Sequence, residues 1–123
     1  MTIDANIIIA YLVGEQEVIE TLSQFRRERK ILLLPTVVEA EVLSFSLWTK
    51  EERLATEFFL EENFTSISFD RSIAKIAAKI RRETKLKFPD AAIAATALFT
   101  DTPLITHNLR DFKKVHGLSL LKI

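Results

Sequence analysis

The chain has 123 residues, 48% hydrophobic and 28% charged, with 17 basic and 17 acidic side chains and no cysteine. This length fits one domain, spanning 1–123, that buries about two-thirds of the surface its unfolded form exposes. Disulfides and thiolate metal sites are excluded, a reducing cytoplasm is the expected compartment, and the longest strictly apolar run, Ile7 to Val13, is too short for a membrane span.

No basic segment followed by an apolar core opens the chain, so no signal peptide is expected. Zero net charge argues at first against a nucleic-acid partner. The charge is nevertheless uneven: residues 1–61 carry 6 Lys/Arg and 11 Asp/Glu, and residues 62–123 carry 11 and 6. A neutral total can hide an acidic site beside a basic surface, although ordinary surface charge spread unevenly gives the same count.

Met1–Asp4 reads as the end of a first strand, with Ala5–Val13 helical after it. Glu17–Arg29 places Val18, Leu22 and Phe25 at amphipathic helical spacing. Ile31–Leu34 is a short apolar run, as in a buried parallel strand. Pro35 then sits near the start of a helix over Thr36–Leu47. Thr49 and Glu52 form a capping box for a helix to Asn63. Thr65–Phe69 alternates as a strand, and Asp70 can cap a helix over Arg71–Lys85. Pro89 opens an Ala-rich helix through Phe99. Leu104–Thr106 and Leu118–Lys122 are candidate closing strands. This β-then-α order, without hairpin signals, predicts an α/β fold, a three-layer α/β/α sandwich with a short, mainly parallel sheet. Ligands of such sheets bind at the carboxyl ends of the strands.

Four places could carry chemistry there. Asp4 ends the first strand and is followed by Asn6; it could equally be a helix cap. Glu41 lies inside the third helix, where Glu39 competes for any role and a solvated Glu is the ordinary alternative. Asp90 stands in the first turn of the Ala-rich helix, where the dipole favours an anion in any case. Thr106, Asn108 and Asp111 follow an apolar strand and suit a metal's surroundings or phosphate contacts, with a capped turn as the alternative. His107 is a weak candidate and His116 a weaker one. A Gly-rich phosphate loop, a nucleophile elbow and zinc-spaced histidines are all missing. Oxygen ligands remain, and these select hard cations such as Mg²⁺ or Mn²⁺.

Ile3-Asp4-Ala5-Asn6, Glu41-Val42-Leu43, Asp90-Ala91-Ala92-Ile93-Ala94-Ala95-Thr96-Ala97 and Thr106-His107-Asn108-Leu109-Arg110-Asp111-Phe112 together resemble a PIN domain, and within that family the VapC-type toxins of type II toxin–antitoxin systems. The resemblance covers nearly the whole chain. It implies a Mg²⁺- or Mn²⁺-dependent endoribonuclease with Asp4, Glu41 and Asp90 at the family's acidic positions. The fourth acidic position falls near Asn108, with Asp111 close by. Asp4 and Asp90 are then expected as direct metal ligands, Glu41 as a ligand directly or through water, and Asp111 as an additional one. Asn6, Thr106 and Asn108 would support them. Only three residues precede Asp4, so the first strand is expected to be minimal, and a longer one would need a start codon further upstream.

RNA must also be held by its backbone, which needs cations. Arg71, Lys75, Lys79 and Arg82 fall on one face of a helix at about 100° per residue, and Lys85 and Lys87 extend the stripe toward Asp90. A merely solvated face remains the alternative. By resemblance, the helices of Glu17–Asn63, with Phe45, Trp48, Phe58 and Phe59, supply a homodimer face and a groove for an antitoxin protein; the alternative is that they are core. Three other functions stay open: a PIN-type RNA-processing nuclease without an antitoxin, a catalytically silent RNA- or protein-binding module, and an aspartate-nucleophile phosphatase, which would want a second Asp where Asn6 stands.

Overall fold

The computed structural model describes residues 1–123. In chain order the elements are β1 (Thr2–Ile3), α1 (Ala5–Leu12), α2 (Gln16–Arg27), β2 (Leu33–Pro35), α3 (Thr36–Leu43), α4 (Lys50–Asn63), β3 (Thr65–Ile67), α5 (Arg71–Glu83), α6 (Phe88–Thr100), β4 (Leu104–Ile105), α7 (Leu109–Phe112) and β5 (Leu120–Leu121). The five strands form one sheet in the order β3-β2-β1-β4-β5, and every pairing is parallel. Helices flank the sheet, as expected from the alternating pattern. The order runs outward from β1 in both directions. The first crossovers go one way and the later ones the other, so β1 and β4 meet at the topological switch point.

The core shows why these segments became these elements. Ile3, Leu34, Leu104 and Ile105 are buried strand residues, as a sheet covered on both faces requires. In α6 every residue from Ala91 to Ala97 is buried. Alanine is the best helix former and the least bulky one that keeps a Cβ, so neighbouring elements, α5 above all, pack closely on this helix. Its one buried hydroxyl, on Thr96, donates to the Ala92 carbonyl at 2.8 Å. α5 buries Ile73, Ala77 and Ile80 against α6 and exposes Arg71, Lys75, Lys79 and Arg82. Thr49 and Glu52 form the expected capping box, and Asp70 caps α5 through the Ile73 amide at 3.0 Å.

Several elements differ from the sequence expectation, β2, α2 and α3 among them. β2 begins two residues later, with Ile31 exposed, because pairing of Leu33 with both Thr2 and Thr65 sets the register rather than apolar content. α2 stops at Arg27: Arg29 takes a left-handed conformation (φ 58°) and the Lys30 amide bonds back to the Phe25 carbonyl at 2.9 Å. α3 ends at Leu43, where the Ser44 hydroxyl turns back onto the Ala40 carbonyl, leaving Phe45 and Leu47 exposed. No helix is long and apolar enough to cross a membrane.

Phe112 is fully buried and anchors α7, whose four residues are too few to be stable alone. Phe112→Ala is expected to cost about 3–5 kcal/mol in urea unfolding. A loss under 1 kcal/mol would mean that α7 is not held by the core.

Candidate metal and phosphodiester site

Asp4 is the one ionisable residue the fold buries. It directly follows β1, and its amide donates to the Ile105 carbonyl at 3.0 Å, carrying the β1–β4 pairing one residue further. Thr106 therefore lands beside it. Asp4 Oδ1 accepts from the Ala5 amide and Oδ2 from the Thr106 hydroxyl, both at 2.7 Å. Asp4 is thus the expected cap of α1, and also more than a cap. Thr106 Oγ1 in turn accepts from the Asn108 amide at 2.9 Å and from Asn6 Nδ2 at 3.4 Å. With its lone pairs so engaged, its proton is committed to Asp4. Asn6 Oδ1 accepts from the His107 amide at 3.2 Å, tying the start of α1 to the end of β4.

Three carboxylates share an electrostatic environment. Burial raises the Asp4 pKa above the usual carboxylate value, against the hydrogen bonds from Thr106 and Ala5, and the charge of Asp90 raises it further. Glu41 is raised by partial desolvation and then by the charges of Asp4 and Asp90. It lies in the last turn of α3, where the helix dipole also disfavours an anion. Asp90, in the first turn of α6, is raised by burial and by Asp111, and lowered by Lys87.

Asp111 is held differently. Its Oδ2 accepts from Asn108 Nδ2 at 3.1 Å, and its Oδ1 faces Lys114 Nζ at 3.7 Å. Asp90 and Asp111 line one cavity of about 230 Å³ together with Lys85, Leu86, Lys87 and Lys114. Glu41 opens instead onto an apolar groove of about 460 Å³ formed by Ile9, Leu12, Val13, Val42, Phe45 and Trp48.

All of these donors are oxygens, the kind that hard divalent cations take, and the mutual repulsion among the carboxylates is what such a cation relieves. The set therefore fits a metal in kind. The carboxylates do not converge into a ready cage, since no three His, Cys, Asp or Glu side chains are grouped to hold an ion. Asp4 is turned to Thr106 and Ala5, and Asp111 to Asn108 and Lys114.

A family model for the PIN domain matches residues 1–118. The chain belongs to the PIN-domain family. PIN domains are generally nucleases, and membership supports a hydrolase. Chains of solved structures resemble it along nearly its whole length. A toxin–antitoxin complex from Klebsiella pneumoniae contains a chain that is 28% identical with a TM-score of 0.83, covering 99% of this chain and 98% of that one. A chain of VapBC2 from Rickettsia felis, in a structure with a promoter DNA fragment, has a TM-score of 0.86 at 19% identity, with 99% and 97% covered. A chain of DNA-bound VapBC from Salmonella typhimurium has a TM-score of 0.84 at 19% identity, with 98% and 96% covered. No curated protein matches the sequence.

The basic residues expected along one stripe of this PIN domain divide in space. Lys85 and Lys87 share the cavity with Asp90 and Asp111, whereas Arg71, Lys75, Lys79 and Arg82 do not line it. Lys79 pairs with Glu83 at 3.9 Å and lines a separate pocket with His116. Lys114 was not among the sequence candidates; α7, read as a turn, brings it in. The aromatic candidates divide too. Phe59 stacks on Tyr11 with ring centroids 5.0 Å apart, while Phe45 and Trp48 meet edge-on at 5.6 Å beside the groove and Phe58 is exposed.

Because the Glu41 pKa is raised on folding, the folded chain holds more protons than the unfolded one between the ordinary carboxylate value, about 4, and the folded value. Stability therefore falls as pH rises through that window, and the loss is complete above the folded value. In EDTA, Glu41→Gln is expected to melt above wild type at pH 7, with the gap closing as pH falls toward about 4. Equal melting curves at pH 7 would contradict the repulsion. Thr106→Val removes a donor from buried Asp4 and an acceptor from the Asn108 amide, so a loss of roughly 1–3 kcal/mol is expected in urea unfolding. A neutral result would mean that water replaces the hydroxyl.

Proposed function

We propose that this PIN domain is a divalent-metal-dependent endoribonuclease acting in the cytoplasm as the toxin of a VapBC-type toxin–antitoxin pair. The observation that carries the reading is the coupling of acids from three different elements at the carboxyl edge of a parallel sheet: the charge of Asp90 raises the Asp4 pKa, and the charges of Asp4 and Asp90 raise that of Glu41. Carboxylates left to repel one another in this way disfavour the metal-free state and favour a cation among them.

Asp4 and Asp90 would hold a Mg²⁺ or Mn²⁺ ion, with Asp111 as an additional ligand. When bound, the ion supplies charge neutralisation at the phosphodiester and acidifies a water. Glu41 would bind the ion directly or through water and help to orient the attacking water. Thr106, Asn108 and Asn6 keep Asp4 in place, so that it presents its remaining lone pairs in one direction. Lys85 and Lys87 contact the RNA backbone beside the acids; Arg71, Lys75, Lys79 and Arg82 form a more distant basic face.

The antitoxin reading draws support from the Klebsiella pneumoniae chain, whose structure is a toxin–antitoxin complex, and from the apolar groove beside Glu41. Exposed Phe45, Leu54 and Phe58 suit a second copy of the chain, as in a homodimer. Purified protein is expected to cut single-stranded RNA with Mg²⁺ or Mn²⁺. Asp4→Asn and Asp90→Asn should each lower the rate roughly 10²-fold or more, and the protein encoded by a neighbouring small open reading frame should silence it. Cleavage that persists in EDTA and in both variants would sink the nuclease reading, and cleavage indifferent to any neighbouring gene product would leave an RNA-processing enzyme.

A further inference from the structure

The cavity between the α5–α6 connection and α7 combines features that a metal site alone does not need. Asp90 and Asp111 line it together with three ammonium groups, on Lys85, Lys87 and Lys114. Ammonium groups beside a cation site oppose the cation, but they favour an anion bound next to it. Lys85 and Lys87 have no carboxylate within ion-pair distance: the four ion pairs of the molecule involve Lys30, Arg53, Lys79 and Lys114.

Both walls are rigid. Leu86 is buried between exposed Lys85 and Lys87, so the two lysines stay on the outer side of an anchored segment. The Leu86 amide donates to the Thr84 hydroxyl at 3.2 Å, and that hydroxyl donates to the Ile80 carbonyl at 2.8 Å. Opposite, buried Phe112 and Val115 fix the turn that carries Lys114. Lys114 pairs with Asp111 at 3.7 Å, but both side chains are about half exposed (57% and 42%). Such a pair is weak, so the ammonium can exchange partners at little cost.

On the ribonuclease reading above, we propose that this cavity is a subsite for an RNA backbone phosphate next to the one attacked, held by Lys85, Lys87 and Lys114. Lys114 leaves Asp111 for the phosphate, which frees the Asp111 carboxylate on the acid side of the cavity. Substrate backbone and acid site are thereby loaded together. The cavity's volume of about 230 Å³ leaves room for a phosphate with several waters, each of which takes about 30 Å³. Single-strand recognition through backbone phosphates also fits lysine, a compact point charge with freely turning donors.

The test is equilibrium binding of a labelled single-stranded RNA, followed by fluorescence anisotropy across a salt series in EDTA, where cleavage is suppressed. For single strands, log K falls with log salt by about 0.7 per phosphate contact. Lys114→Ala, and Lys85→Ala with Lys87→Ala, are expected to bind more weakly, each with a slope shallower by about 0.7 or more. Lys114→Arg should restore the slope, and Lys113→Ala, an exposed neighbour outside the cavity, should leave it unchanged. Lys114→Gln guards against a local effect of alanine on α7, and thermal melts check that each variant is folded. A slope for Lys114→Ala equal to that of Lys113→Ala, with wild-type binding intact, would overturn the subsite alone. Absence of any salt-dependent RNA binding by wild type would overturn the subsite and the RNA reading together.

Discussion

A carboxylate removed from water must receive hydrogen bonds or give up its charge, and the arrangement at the top of this sheet follows from how Asp4 meets that demand. β1 and β4 are parallel neighbours with Ile3 opposite Ile105. The next residues on each strand, Asp4 and Thr106, therefore face one another, and the hydroxyl becomes the donor. The same hydroxyl accepts from the Asn108 amide, which bends the chain as it leaves β4. Asn108 then reaches Asp111 through its side chain. One buried charge thus sets the path of the chain from β4 into α7 and the position of a second carboxylate.

The remaining acids are solvated by different means. Asp90 has Lys87 near it, and Asp111 has Lys114. Glu41 has no cation of its own and stands at the wrong end of a helix for an anion. Asp4 is turned to Thr106 and Asp111 to Asn108 and Lys114, so the acids face separate partners and do not group into a cage.

The sequence was most legible where structure is local. The caps at Thr49 and Asp70, the two faces of α5 and the Ala-rich α6 follow from periodicity and short-range chemistry, and each stands in the structure. Register was not legible: Ile31 looked like a strand residue but pairing placed β2 at Leu33–Pro35, because strand position depends on partners elsewhere in the chain. Asp4 looked like a cap and is one, but nothing local announced that Thr106 would lie against it. Lys114 carried no signal, since its relevance comes from a short helix that exists only because Phe112 is buried. Spacing could not separate Glu41 from Glu39; the charges of Asp4 and Asp90, which act on Glu41, are set by elements distant in the chain.

The zero net charge takes on a different meaning in this light. The acidic first half supplies Asp4 and Glu41, and the basic second half supplies every lysine of the phosphate cavity. The fold brings the halves together at one sheet edge, with Asp90 and Asp111 from the basic half at the seam. A uniformly basic protein would hold RNA more strongly but would neutralise the carboxylates and weaken their claim on a cation. A uniformly acidic one would attract the cation and repel the strand. Placing the two signs side by side at a single sheet edge lets one small domain offer both.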